Sequence, residues 1–196
     1  MLRSSLIAPI GFALLLCACE PQGLEITEVA PPAAATSSCD ARAEKPWAPD
    51  AARTFTAEAI AFGPDCAKAV VTLVVRSSDG APVLAWSASA QDIIGLYDAA
   101  DAAAMKAALA DWIDPANNTL DAASSLPAWT QGRAAPGAEG EEFPFHPESW
   151  LDQPTYEQIR KENAPLFAFA QGRESLAVYL LRGGQLEPIG VQQFPG

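Results

Sequence analysis

The chain has 196 residues, with 12 Lys and Arg against 24 Asp and Glu, which gives a net charge of −12 and a pI near 4.4. A groove for DNA or RNA backbone needs the opposite balance, so no nucleic-acid partner is expected. Alanine alone supplies 40 residues, and what remains of the larger apolar side chains is enough for one modest core and too little for a second.

Arg3 gives the amino terminus a short positive head, and an apolar run of 11 residues follows from Leu6 to Leu16. A membrane-spanning helix needs about 20 residues, so this run suits the core of a signal peptide instead. It ends in Leu16-Cys17-Ala18-Cys19. These residues resemble the lipobox of bacterial lipoproteins, with Leu three before and a small residue one before the acylated cysteine. Cys17 departs from the usual Ala, Ser, Thr or Val at the middle position. The resemblance covers about 19 residues and implies that residues 1–18 are removed and that Cys19 becomes a lipidated amino terminus. Each buried CH₂ is worth about 0.8 kcal/mol, so two or three acyl chains hold a protein almost permanently. The alternative is a soluble secreted protein cleaved near Ala18. Loss of residues 1–18 removes only Arg3 among the charges and leaves a mature chain at −13. Such a chain is repelled by anionic head groups and should stand off the membrane on its tether.

From Glu20 to about Pro46 there is no sustained periodicity, and Pro31 to Ser38 has linker composition, so 19–46 is expected to be anchor and flexible tether. The remaining 47–196 has the size of one domain. With Cys17 removed and Cys19 acylated, Cys39 and Cys66 are the only thiols left, and in an oxidising compartment they are expected to pair. There is no close Cys-x-x-Cys pair for redox work and no further set of metal ligands.

Residues 55–61 alternate, with Ala57, Ala59 and Ala61 on one face, up to Gly63-Pro64. Residues 69–75 are apolar on both faces, which predicts a central strand. Asp79-Gly80 supplies a hairpin turn, and 83–87 returns antiparallel. Helical spacing takes over at 98–113, where Met105, Leu109, Trp112 and Ile113 share a face and Asp98 serves as N-cap. A second helix is expected over 153–163, capped by Asp152, with Tyr156 and Ile159 inward. Three strands follow at 166–170, 176–181 and 186–192, the last two joined by Gly183-Gly184. The order βββα, a long loop, then αβββ predicts an α+β single domain. It has about six strands in a mostly antiparallel sheet with two helices packed on it in two layers. A small barrel-like sheet plugged by the helices is the alternative.

The chemistry-bearing residues are sparse. His146 is the only histidine, so a His-dependent hydrolase would have to use it, with Ser149 nearby and no orienting third group in sight. As a metal ligand it would need Glu148 and Glu142. The expected reading is a loop histidine packed among aromatics. Carboxylate pairs fit for glycan cleavage are unavoidable among 24 acids and sit in no distinctive motif. There is no Gly-x-Ser-x-Gly elbow and no phosphate loop. No catalytic residue, cofactor or metal is assigned.

The connection from Asp114 to Leu151 is far longer than the usual 4–6 residues. It interleaves aromatics and prolines with glutamates. Trp129, Phe143, Phe145, His146 and Trp150 are candidate partner contacts, against a loop that seals the open side of the core. Trp150 is expected to be buried against the second helix, and Phe145 more exposed. The function that follows is a lipid-anchored binding or assembly module facing the periplasm, the outer membrane being preferred. It would touch the membrane through its acyl chains alone and take a protein or small-ligand partner. The alternatives are an envelope hydrolase acting through His146 or a carboxylate pair, and a structural envelope component.

Overall fold

A computed structural model of the chain describes residues 39–117, 120–137 and 143–194. The readings made on residues 1–38, with Cys19 among them, and on Glu142 lie outside the described residues.

Strands β1 (Cys39–Trp47), β2 (Phe55–Gly63), β3 (Val70–Ser77) and β4 (Pro82–Ser89) form an antiparallel sheet in that order. Helix α1 (Ala102–Trp112) follows. A second antiparallel sheet has the order β5-β8-β7-β6, built from β5 (Phe145–Pro147), β6 (Leu166–Ala170), β7 (Ser175–Arg182) and β8 (Gln185–Gln193). Helix α2 (Gln153–Glu162) lies between β5 and β6 in the chain.

The α+β class holds, with eight strands in two sheets rather than six in one. The two added strands are short on conventional strand signal. In β1 the inward side chains at Ala41 and Ala43 alternate with exposed Asp40, Arg42 and Glu44. Alanine is a weak strand former, and Pro46 is tolerated because β1 is an edge strand. Residues 39–46, read as tether, are therefore paired sheet. Strand β5 has three residues, one of them proline.

Each helix begins where an aspartate offers its side chain. Asp101 accepts from the Ala104 N–H (2.8 Å) and Asp152 from the Thr155 N–H (2.9 Å). The first helix thus starts three residues later than Asp98 would have placed it. The alanine face read in 55–61 does what small residues permit. Ala57, Ala59 and Ala61 are fully buried, and α1 packs across β1 and β2. Met105, Leu109 and Trp112 are the buried side chains of α1, with Trp112 turned toward Trp86 and Phe169.

The second sheet is a middle layer, which corrects the expected two-layer plan. One of its faces, with Phe167, Phe169 and Leu181, shares a core with the first sheet and α1. Its other face, with Leu166, Val178, Leu180 and Ile189, shares a second core with Tyr156 and Ile159 of α2 and with Leu120 and Leu126 of the long connection, so the larger apolar residues fill two cores where the composition predicts one. Aromatic rings fasten the first core. Trp47 lies 5.0 Å from Phe167, Trp86 lies 5.1 Å from Phe169, and the Trp112 Nε1–H donates to Ala170 O (2.8 Å).

The Cys39–Cys66 disulfide is present, with its Cα atoms 4.9 Å apart. It ties the first residue of β1 to the single 3₁₀ turn Cys66–Lys68 that follows β2. Gly63 sits beside it, because a Cβ there would lie 2.6 Å from the Ala69 Cα.

Candidate interaction surface

The long connection divides into a core-sealing part and an exposed part. Phe145 is fully buried, 5.7 Å from the ring of Tyr156. It is pressed there by Gly190, whose φ of 153° and missing side chain let β5 close onto β8. A Cβ at 190 would lie 2.4 Å from His146 O and 2.6 Å from the Phe145 ring. Trp150 is 50% exposed and Phe143 45% exposed. The expected pair is therefore reversed. Strand alternation turns Phe145 toward α2, whereas Trp150 sits in the turn before α2, on no regular face. Trp129 is half-buried against Tyr156, 5.6 Å edge to face, and its indole N–H donates to Arg133 O (2.8 Å). Of the five candidate contact residues, Phe143, His146 and Trp150 reach solvent, Trp129 does so in part, and Phe145 does not.

The residues considered for catalysis do not converge. Contrary to expectation, His146 is not packed among aromatics in a loop; it is exposed on strand β5 and pairs through its backbone with Val191. The Glu148 charge acts on a different group. Burial pushes the Tyr179 phenol above its ordinary value, and the nearby Glu148 carboxylate adds to the shift. Among the described residues, no three His, Cys, Asp or Glu side chains are placed to hold a metal. Glu58, 7% exposed, is held between Arg42 and Arg76, the latter at 3.6 Å. It is a paired structural charge. A cleft of about 590 Å³ runs past Trp47, Asp114, Pro115, Asp121 and Pro165. Its Asp114 carboxylate is already taken by the Lys45 ammonium at 2.5 Å.

Several carboxylates are held below their ordinary values by local donors. The Asp114 carboxyl is lowered by hydrogen bonds from Lys45 and the Ala116 N–H, and the Asp152 carboxyl by those from Thr155. At Glu157 burial pushes upward, yet the Trp129 N–H and Arg160 outweigh it and the group ends low. A carboxylate lowered by folding stabilises the fold above its unfolded value, and that contribution is lost as pH falls through the folded value. The melting temperature should therefore hold steady from about pH 7 to 5 and fall as the solution passes below the ordinary values of 3.8 for Asp and 4.5 for Glu. Thermal melts between pH 2 and 7 check this, and a midpoint that rises on acidification would contradict it.

One end of the molecule gathers exposed apolar side chains. On the outer face of the first sheet, Asp40 of β1 pairs with Phe62, and Phe62 with Val70. Phe62 is 58% and Val70 56% exposed. Val70 pairs in turn with Ser89, where β4 ends. The chain then makes the 3₁₀ turn Ala90–Asp92 and reaches Ile94 and Tyr97, both exposed. This loop is fixed to the β6–β7 turn by the Ile94 N–H to Gly172 O bond (3.2 Å) and by Arg173, which donates twice to Gln91 O. The Arg173 guanidinium lies 4.7 Å over the Tyr97 ring. Phe143 joins the same end, since the Gln192 Nε2–H bonds its carbonyl at 2.6 Å, and Gln193 bonds Pro144 O. Cys39, where residue 38 enters the domain, is adjacent to Asp40 and pairs with Gly63.

Of these residues the sequence singles out Phe143 alone. The strand 69–75, apolar on both faces, does lie between two neighbours, but its second face is open to solvent at Val70. Phe62 had a readable signal. It shares the outward parity of Glu58, an apolar ring where the alternation calls for a polar side chain.

No protein-family model matches this chain, and neither a curated protein nor a solved structure does.

Proposed function

We propose that the chain is a lipid-anchored binding module of the bacterial envelope, held by acyl chains on Cys19 and presenting the end that carries Phe62, Val70, Ile94 and Tyr97. The observation that carries this reading is the grouping itself. Among the described residues, five of the six large exposed apolar side chains lie at the end where the chain enters the domain. Isolated exposed apolar residues are ordinary, but several gathered at one end of a domain among exposed carboxylates suit a contact surface. The Leu16, Ala18 and Cys19 pattern and the short apolar run before it support the anchor. Among the described residues no helix is long and apolar enough to cross a membrane.

The anchor has a direct test. Changing Cys19→Ala should move the protein from the membrane fraction to the soluble fraction. Retention in the membrane fraction without a new signal would contradict the reading.

A further inference from the structure

We infer that the partner at this end is a protein surface with an apolar strip set in basic residues. The inference rests on the binding-module reading and assigns its occupant. Around Phe62, Val70, Ile94 and Tyr97 stand four exposed carboxylates, Asp40, Asp92, Asp98 and Glu174. None of them makes a side-chain ion pair with another described residue. The cations of the same end are occupied. Lys68 Nζ is 3.1 Å from Asp65, and the Arg173 guanidinium donates to Gln91 O and lies over the Tyr97 ring, its one positive charge set against four carboxylates.

The end therefore combines exposed apolar rings with a rim that is net negative, on a mature chain at −13. A rim of one sign sets which partners approach and how fast, and the apolar centre supplies the hold once water is expelled. A second copy of this chain would bring the same negative rim into contact with itself. A bilayer with anionic head groups would meet the same carboxylates and be repelled. A basic rim is the complement that satisfies both features, and the partner's cations replace the water around Asp92 and Asp98 when Tyr97 is covered.

Hydrogen exchange read by mass spectrometry on the full-length chain in a neutral detergent tests this. The probes are two eight-residue peptides, one alternating Lys and Leu, the other alternating Glu and Leu. The Lys-Leu peptide should slow exchange at residues 63–69 and 91–98. The Glu-Leu peptide should leave them unchanged. The apparent Kd of the Lys-Leu peptide should rise about tenfold in the double variant Asp92→Lys/Asp98→Lys and by a similar factor when salt is raised to about 0.3 M. The variant should keep the wild-type melting temperature, since both positions are exposed.

Equal protection by the two peptides, protection confined to other segments, or none at all would overturn the inference. So would protection of 63–69 and 91–98 by phosphatidylcholine–phosphatidylglycerol vesicles alone, which would make a lipid surface the occupant. These outcomes are independent of the anchor. A chain that remains in the membrane fraction while the Lys-Leu peptide fails to bind loses the partner assignment and keeps the anchoring reading. A chain that never enters the membrane fraction loses the latter whichever peptide binds.

Discussion

Truncating Phe145 to alanine should destabilise the domain by about 3–5 kcal/mol, the usual cost of removing a buried phenylalanine and leaving its cavity. The same truncation at Trp150 should cost about 1–2 kcal/mol, because half of its surface is already in water. The ring of Phe145 fills the space between Tyr156 and the glycine at 190, beneath the β5–β8 pairing. Denaturant unfolding of the two single variants gives the comparison. Equal losses at both positions would mean that the loop is packed otherwise than described. A chain stable by only 5–15 kcal/mol in all has little room for the first change, so low yield of folded Phe145→Ala protein is part of the expected result.

Removing the disulfide with Cys39→Ser and Cys66→Ser should cost about 3–4 kcal/mol in the chain-entropy model, for a bridge that spans a sequence separation of 27. The cost should appear as a lower denaturation midpoint, and the reduced native chain should match the double variant. The bridge pins the far end of an edge strand from Trp47, and between the two the inward residues Ala41 and Ala43 bury little surface to hold β1 against β2. Because Asp40 and Phe62 form the next pair, its loss should also loosen the contact end. Two free thiols in native protein, or an unchanged midpoint in the double variant, would contradict this.

What the sequence made legible follows the strength of each local signal. The hairpins closed by Asp79-Gly80 and Gly183-Gly184 were readable because the turn chemistry and the flanking alternation agree. Helix α2 was readable from Asp152, Tyr156 and Ile159. Strand β1 was hidden because only Ala41 and Ala43 mark its inward face between Cys39 and Trp47, and alanine beside Pro46 reads equally well as linker. The middle position of the second sheet was hidden for another reason. Its strands are apolar on both faces, at Leu166 and Phe167 or Leu180 and Leu181, and such a run does not say what covers each side. Phe145 and Trp150 exchange places with the expectation because strand parity at β5, which no sequence pattern of three residues reveals, outweighs nearness to a helix in sequence. The contact end was the least legible. Its parts run from Asp40 to Glu174 and share no period or motif, so only the pairing of Phe62 with Val70 and the bonds of Arg173 bring them together.

The claim that this end is the working surface has one direct measurement. A photoreactive phenylalanine analogue is placed in the full-length chain at Phe62, at Tyr97 or at Trp150, and intact cells are irradiated. The account predicts a protein adduct of one size from positions 62 and 97, lost when Asp92→Lys and Asp98→Lys are added, and no such adduct from position 150. Adducts from position 150 with none from 62 and 97 would contradict it.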